Sequence, residues 1–210
     1  MKLYIYEHCP FCTRARLTAG LKGIPLQTEV ILEGDAETPI RLIGRKVVPI
    51  LQKADGTHMA ESLDIAHHLD QLGTPILDGP NDDALEEWVK DARPVGTKLY
   101  IPRFTKGDFA ELATPEAREA YRLREEKAFG DLEALMADTP ALVAAMNEKL
   151  EALAPMLEGR ETIGISDIIL WPVLRSLSIV KDLTFPAPVR AYAERLEAKS
   201  GVPLMFNQAM

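Results

Sequence analysis

The sequence predicts a two-domain protein, with an α/β domain followed by an all-α domain. In the first third of the chain, short runs rich in β-branched and aromatic residues alternate with stretches of good helix formers. Residues 73–83 are rich in Pro, Gly and acidic residues, a composition typical of a boundary between domains. From residue 84 onwards, apolar residues recur with a helical period. We therefore expect a sheet-containing domain over residues 1–72, a linker over 73–83 and a helical domain over 84–210.

The first domain is expected to have the element order β-α-β-α-β-β-α. The strands are predicted over residues 2–6, 26–32, 48–52 and 57–60, and the helices over 10–22, 38–44 and 62–72. A helix joins the first two strands, so these strands should be parallel. The turn Ala54-Asp55-Gly56 should make the last two strands antiparallel. The result is a mixed four-stranded sheet. Thr38-Pro39 is expected to start the second helix, with Thr38 as its cap.

The second domain is expected to contain helices only. Helices are predicted around residues 85–92 and over 114–136, 140–157, 167–180 and 189–199. The segment 167–180 is apolar on nearly every side, so we expect it at the centre of the domain. Asp167, near its start, can accept hydrogen bonds from the N–H groups of the helix cap, and we interpret it as structural.

Composition excludes some classes of function. The chain has 210 residues and a net charge of −8, which opposes binding to nucleic acid or to anionic lipid. No apolar stretch has the length that a membrane-spanning helix needs. The chain has only 2 cysteines, and they are close together, which favours a reducing compartment. We expect a cytoplasmic protein that contacts neither nucleic acid nor membrane.

The two cysteines form the motif Cys9-Pro10-Phe11-Cys12 at the predicted start of a helix. The N-terminal end of a helix has unpaired N–H groups and partial positive charge, which stabilise a thiolate. We expect Cys9 at the cap to be exposed and nucleophilic. Cys12, one turn into the helix, should be more buried and should resolve the intermediate.

Two other interpretations of the dithiol are weaker. A structural zinc ion needs four ligands, and the chain has no second Cys pair, while the adjacent His67 and His68 diverge around their helix. Two buried structural thiols are also conceivable, but the intervening proline and the helix start argue against them. The motif within a β-α-β unit favours redox chemistry. We expect the four histidines, His8 among them, to be surface or packing residues rather than catalysts.

Two further segments allow both a structural and a functional interpretation. Val48-Pro49 is either an ordinary strand start or a cis peptide bond that turns the backbone groups of Val48 towards a peptide-like ligand. Glu61-Ser62 is either a helix cap or a site for a zwitterion, with Ser62 and helix N–H groups holding a carboxylate and Glu61 an ammonium.

These three motifs at this spacing resemble a glutaredoxin domain joined to a glutathione-transferase-like helical domain. The resemblance rests on Cys9-Pro10-Phe11-Cys12, on Val48-Pro49-Ile50-Leu51 and on Glu61-Ser62-Leu63-Asp64-Ile65. With Thr38-Pro39 and residues 101–104 and 170–177, the whole chain is similar to the large bacterial glutaredoxins of the glutaredoxin 2 family. The resemblance implies a thioredoxin-like fold for the first domain.

The resemblance also implies a glutathione site. It implies that Pro49 is cis, that Val48 pairs its backbone with the cysteinyl part of glutathione, and that Glu61 and Ser62 hold the γ-glutamyl end. The implied glutathione-binding residues are Pro10, Phe11, Val48, Pro49, Glu61 and Ser62. The partner of the glycyl carboxylate is left open, with Arg45 and Lys46 as candidates.

Two positions depart from the family pattern. Related helical domains usually have Ser or Thr at the cap three residues before Asp167, where this chain has Gly164. We expect a weaker cap and the same fold, since Gly is only slightly worse than Ser at a cap. Glu7 stands where many small glutaredoxins carry a basic residue, and we expect it to offset part of the thiolate stabilisation.

The sequence thus predicts a glutaredoxin that reduces protein disulfides and protein–glutathione mixed disulfides. Cys9 and Cys12 would be catalytic, glutathione the reductant and no metal required. Oxidised or glutathionylated proteins would be its partners, and the chain is expected to be a monomer. Two alternatives are a glutathione transferase that acts on electrophiles and a non-catalytic interaction module; the paired cysteines count against both.

Overall fold

A computed structural model describes all residues, 1–210. The first domain contains β1 (Lys2–Ile5), α1 (Pro10–Leu21), β2 (Gln27–Val30), α2 (Glu37–Ile43), β3 (Ile50–Gln52), β4 (His58–Met59) and α3 (Ser62–Asp70). The second contains α4 (Asp83–Phe104), α5 (Pro115–Phe129), α6 (Leu132–Ala137), α7 (Thr139–Leu157), α8 (Ile165–Leu177) and α9 (Ala187–Ser200). Short 3-10 helices lie at Ala110–Leu112 and Phe206–Gln208. None of the helices combines the length and the apolar character that crossing a membrane requires.

The sheet has the predicted mixed topology. Its 4 strands lie in the order β2-β1-β3-β4. β1 pairs in parallel with β2, in the register Lys2 opposite Gln27, because α1 crosses over between them. β1 pairs antiparallel with β3, and β3 antiparallel with β4. This sheet and the helical second domain confirm the predicted fold class. The division at residues 73–83 stays a prediction; no helix or strand forms between α3 and α4.

Two expected helix boundaries were wrong. α2 begins at Glu37 rather than at Thr38, and Asp35 Oδ1 accepts the N–H of Thr38 at 3.0 Å, so that Asp35 does the capping expected of Thr38. The predicted helix over 114–136 is interrupted at Gly130, whose φ of 76° no regular helix contains. Asp131 then caps a separate α6 by accepting the N–H groups of Glu133 and Ala134.

The two domains pack closely against each other. α1 contacts α8 and α9 of the helical domain. Leu17 of α1 and Ala66 of α3 belong to the same buried apolar cluster as the helical domain, while the other apolar cluster lies around the sheet. At Gly20 the two domains approach so closely that a Cβ atom would lie 2.0 Å from the carbonyl oxygen of Ser200. Only glycine lets α1 lie this close to the end of α9.

α8 is the central helix that its apolar sequence predicted. Trp171, Leu170 and Leu174 are fully buried. Asp167 has the predicted structural role, since its Oδ2 accepts the N–H of Gly164 at 2.8 Å. Arg160 donates to both carboxylate oxygens at 2.8 and 2.9 Å. Tyr192 donates its hydroxyl at 2.8 Å, so the carboxylate is completely partnered.

Gly164 has a packing role that the sequence did not reveal. A Cβ atom at this position would lie 2.8 Å from the carbonyl oxygen of Gly79, and Gly79 N–H donates to the carbonyl of Ile163 at 3.1 Å. The segment between the domains thus passes directly over the start of α8. A serine or threonine cap would collide with it, which explains the departure from the family pattern.

Candidate functional site

Cys9 caps the N-terminus of α1. Its backbone is extended (φ −65°, ψ 121°), Pro10 occupies the first helical position, and Cys9 Sγ accepts the N–H of Cys12 at 3.4 Å. The hydrogen bond from the Cys12 thiol is the largest influence that lowers the pKa of Cys9. The charge of His8 and the N–H groups of Cys12 and Phe11 add to it, so that the pKa falls from 9.0 to about 6 although burial opposes the shift.

Cys12 has the opposite character. It is 0% exposed, and its Sγ accepts the N–H of Tyr6 at 3.4 Å. Burial, together with the adjacent Cys9 sulfur, raises the pKa of Cys12 well above its ordinary value. The two sulfurs therefore share one proton, which remains on Cys12 and leaves Cys9 as the thiolate.

Cys9 is not exposed, contrary to expectation. Only 8% of its surface is accessible, and it faces a cavity of about 480 Å³ between the two domains. Aromatic side chains of α4, including Tyr100 and Phe104, line the opposite wall of this cavity. Residues of the helical domain thus face Cys9 across the cavity.

The structure places half of the predicted site residues on the cavity wall. Cys9, Pro10, Phe11 and Val48 line it. Cys12 lies behind Cys9, and Pro49 follows Val48 through a cis peptide bond, so the cis expectation is confirmed. Of the two candidates for the glycyl carboxylate, Lys46 lines the cavity and Arg45 does not.

Glu61 and Ser62 lie outside the cavity lining, and of the two only Ser62 contacts a residue of the lining. Ser62 Oγ accepts a hydrogen bond from Nη1 of Arg14 at 3.2 Å, and Arg14 lines the cavity. Glu61 has a φ of 70°, the only positive φ outside glycine, and its side chain caps no helix. Its carboxylate is instead exposed and paired with Arg45 at 2.7 Å. Unusual backbone conformations cluster at active sites and ligand clamps, so this one favours the functional interpretation of Glu61.

Several residues of the site were missed by the sequence analysis. The cavity wall carries four cations, Arg14, Lys46, Arg93 and Arg124, and one acid, Glu125. This lining is positive in a chain with a net charge of −8, so it favours an anionic ligand. The Nε of Arg14 is buried and has no hydrogen-bond partner, so it is free to bind one.

His8 is a packing residue, as expected, since its ring contacts four aromatic rings, but the sequence analysis missed its position at the cavity. It is buried, lines the cavity and lowers the pKa of Cys9, as its place beside Cys9 in the sequence could have indicated. Its Nδ1 lies 2.5 Å from Oε1 of Glu111 in the helical domain. No sequence signal pointed to Glu111.

The expected effect of Glu7 on the thiolate stays a prediction. Its carboxylate faces the helical domain and accepts the N–H of Ala110 at 2.8 Å. The largest influences on the pKa of Cys9 do not include it. No group of three or more His, Cys, Asp or Glu side chains that could hold a metal ion occurs in the structure.

Comparison with known proteins agrees with this geometry. Residues 84–209 match the family model for the C-terminal domain of glutaredoxin 2. The chain belongs to the glutaredoxin 2 family. Residues 3–75 match the model for the N-terminal domain of glutathione S-transferases. Glutaredoxin 2 of Escherichia coli strain K12 is 39% identical over 215 residues, which cover 100% of both chains.

Solved structures confirm the fold. The crystal structure of glutaredoxin 2 from Salmonella typhimurium in complex with glutathione superimposes with a TM-score of 0.96 at 36% identity, covering 100% of this chain and 98% of that one. A Tau class glutathione S-transferase from mango shares only the fold, with a TM-score of 0.60 at 19% identity over 99% of this chain and 94% of that one. The first domain is thioredoxin-like and the second is glutathione-transferase-like, as the resemblance implied.

Proposed function

We propose that this chain, a glutathione-dependent thiol–disulfide oxidoreductase of the glutaredoxin 2 family, reduces protein–glutathione mixed disulfides and protein disulfides through Cys9. The observation that carries the proposal is the contrast between its two thiols. At neutral pH, Cys9, with a pKa of about 6, is a thiolate that faces the cavity, whereas Cys12 keeps its proton. Glutathione is the reductant and co-substrate.

The reaction is a pair of thiol–disulfide exchanges. The Cys9 thiolate attacks the glutathionyl sulfur of a mixed disulfide; the bond between Cys9 and glutathione forms, and the protein thiolate leaves and takes up a proton. The thiolate of a second glutathione then attacks the glutathionyl sulfur on Cys9. Oxidised glutathione leaves, and the Cys9 thiolate is restored. In sum, one mixed disulfide and one reduced glutathione give one protein thiol and one oxidised glutathione.

Cys12 provides a second route for protein disulfides. After Cys9 has formed a mixed disulfide with the substrate, the deprotonated Cys12 sulfur attacks Cys9, and the Cys9–Cys12 disulfide closes as the substrate thiolate leaves. Cys12 lies one turn into the helix that Cys9 caps, and its backbone N–H donates to Cys9 Sγ at 3.4 Å, which places the two thiols side by side for this step. Two glutathione molecules then reduce the new disulfide.

The cavity lining supports a defined orientation of glutathione. We propose that Val48, beside Pro49, pairs its backbone with the cysteinyl residue, while Pro10 and Phe11 border the sulfur. Ser62 and Arg14 would hold the γ-glutamyl carboxylate, since the buried Nε of Arg14 lacks a partner. Glu61 would hold the ammonium group, and Lys46, which lines the cavity, is favoured over Arg45 for the glycyl carboxylate.

The test compares two serine variants in a coupled assay with glutathione, glutathione reductase and a glutathionylated peptide. Cys9→Ser should abolish exchange, because a hydroxyl does not replace the thiolate. Cys12→Ser should keep reduction of the mixed disulfide and lose reduction of protein disulfides. Cys9→Ser with full activity would disprove the proposal.

A second measurement distinguishes a glutathione transferase from a glutaredoxin. If Cys9→Ala still conjugates glutathione to an electrophile, the cavity activates glutathione without Cys9 and the transferase function is favoured. Mass spectrometry after treatment with oxidised glutathione identifies the modified sulfur directly. Glutathione on Cys9, or a Cys9–Cys12 disulfide, is the expected product.

The monomeric state, the cytoplasmic location and the identity of the protein partners stay predictions of the sequence.

A further inference from the structure

Glu111 belongs to the helical domain but contacts the residue next to Cys9. It lies in the 3-10 helix Ala110–Leu112 and is 0% exposed. Its Oε1 accepts the backbone N–H of His8 at 2.9 Å and lies 2.5 Å from the Nδ1 of the same residue. One carboxylate thus fixes both the backbone and the ring of His8, across the boundary between the domains.

The ring of His8 is enclosed on its other sides by aromatic rings. Tyr6 stacks on it with centroids 5.9 Å apart, and Tyr121 presents its edge at 5.0 Å. Phe104 and Phe109 lie at 5.1 and 5.7 Å. None of these rings is a carboxylate, and Glu111 is the carboxylate in hydrogen-bond contact with the His8 ring. The other ring nitrogen, Nε2, has no hydrogen-bond partner in the protein, and His8 lines the cavity. Glu111 also interacts electrostatically with Cys12, Arg16 and Arg175.

Other charged and titratable groups also face this site. Cys12 and Arg14 belong to α1, Tyr100 to α4 and Arg175 to α8, and each interacts electrostatically with Cys9. Arg175 is buried and donates to the carbonyls of Glu7 and Pro203. Burial and the nearby Arg16 lower the pKa of Arg175 to about 9. None of these cations is among the largest influences on the pKa of Cys9, whereas His8 is.

A role in holding the domains together does not account for Glu111. Its Oε2 is buried without any hydrogen-bond partner, which is costly for a carboxylate. The same loop is already joined to the helical domain by the Glu7 carboxylate, which accepts the N–H of Ala110, and by Arg175, which donates to the carbonyl of Glu7. Neither of these contacts buries an unsatisfied carboxylate oxygen.

We propose that Glu111 is a positioning residue, which holds the His8 imidazolium beside Cys9 and so makes the reactive thiolate dependent on the docked helical domain. The helical domain then supplies part of the thiolate's electrostatic environment in addition to a wall of the cavity. This inference rests on the proposed function in one respect, namely that Cys9 is the attacking thiol.

The test measures the rate of Cys9 alkylation by iodoacetamide as a function of pH in Glu111→Gln, with peptide mass spectrometry to assign the modified sulfur. Glutamine keeps the size of the side chain and an oxygen for the N–H of His8 but removes the charge. The midpoint of the profile should rise by about 1 pH unit, as expected for the loss of a nearby opposite charge from a thiolate. At pH values below both midpoints, the alkylation rate of Glu111→Gln, as a fraction of its plateau at high pH, should be about tenfold lower than that of the unmodified chain.

The direction in which the alkylation midpoint of Glu111→Gln moves tests the inference. If Glu111 acted on Cys9 only through its own negative charge, its removal would lower the midpoint. If it only held the domains together, the midpoint would not change while stability fell. Either result overturns the inference. The matched control is Glu29→Gln, which removes the carboxylate of an exposed ion pair with Lys2 and should leave the midpoint unchanged.

A second pair of variants covers the case in which Glu111→Gln does not fold. His8→Phe keeps an aromatic ring in place, and it should raise the midpoint as Glu111→Gln does. His8→Phe/Glu111→Gln leaves no buried charge unpaired, and its midpoint should equal that of His8→Phe, since Glu111 acts through His8. A lower midpoint in the double variant would contradict the inference. Alkylation of Cys12 instead of Cys9 in the unmodified chain would overturn the proposed function itself, which distinguishes the two failures.

Discussion

The N-termini of α1 and α8 each hold an anionic group, but the two helices surround that group differently. At α8, Asp167 accepts hydrogen bonds from Gly164, from Arg160 and from Tyr192, all between 2.8 and 2.9 Å. At α1, Cys9 Sγ accepts one backbone N–H at 3.4 Å, from Cys12. Asp167 is fully buried, whereas Cys9 borders a cavity.

This difference separates a structural anion from a reactive one. A carboxylate whose lone pairs are all occupied stabilises the helix start and has nothing left for a ligand. A thiolate that is stabilised by the Cys12 thiol, by the N–H groups of the helix start and by a nearby cation forms at neutral pH, and because it borders a cavity it is still able to attack. The same feature, the end of a helix, thus serves stability in one domain and chemistry in the other.

Removing the structural anion should have the largest effect on stability. Asp167→Ala leaves Arg160, Tyr192 and the cap N–H without their acceptor in a buried site, and we expect a loss of about 3–5 kcal/mol in the free energy of unfolding. Urea denaturation measures it. The control Asp91→Ala removes an exposed ion pair with Lys149 and should cost under about 1 kcal/mol. Equal losses in the two variants would contradict the special role of Asp167.

The Cys9 thiolate should make the free energy of unfolding depend on pH. The pKa of Cys9 is about 6 in the folded chain and 9.0 as a free thiol, so the unfolded chain binds more protons between these values. The stability of the unmodified chain relative to Cys9→Ser should therefore rise with pH across this window, by up to about 1.4 kcal/mol per pH unit. The gain is complete above pH 9.0 and lost as the pH falls to about 6.

Urea denaturation at a series of pH values, with reductant present, measures this difference between the two chains. A difference that stays flat, or that falls as the pH rises, would show that Cys9 is not a stabilised thiolate in the folded chain. The same series on Asp167→Ala sharpens the comparison, because the change at α8 should leave the pH window set by Cys9 in place.

The smallest expected effect concerns the cap of α8. At an open helix start, Gly→Ser is favourable by a few tenths of a kcal/mol. At Gly164 the added Cβ would lie 2.8 Å from the carbonyl oxygen of Gly79, so we expect Gly164→Ser to lose about 1–3 kcal/mol instead. Thermal denaturation measures the loss. Gly164→Ala carries the same Cβ without the hydroxyl, so the difference between the variants isolates the cap. A stabilised Gly164→Ser would contradict the close approach of Gly79.

Local pattern predicted much of the fold. Spacing within one or two elements predicted four features, namely the dithiol at the start of α1, the parallel pairing of β1 with β2, the central position of α8 and the structural role of Asp167. The break at Gly130 was missed, because helix-forming residues on both sides of it give a continuous helical period. Thr38 was expected to cap α2, because a cap residue before proline is a strong signal, whereas Asp35, three residues earlier, accepts the N–H of Thr38 in the structure.

The sequence by itself determined the chemistry available to this protein, namely a thiol at a helix start with a second thiol one turn away. Hydrogen bonds between residues three apart on a helix depend on local geometry, which the spacing fixes. Only the tertiary structure decided that residues of a second domain face Cys9, that a cation-lined cavity lies between them, and that Glu111 reaches His8 over a separation of 103 residues. Contacts of this kind depend on how the domains pack, and a linear pattern carries no record of which distant side chains packing brings together.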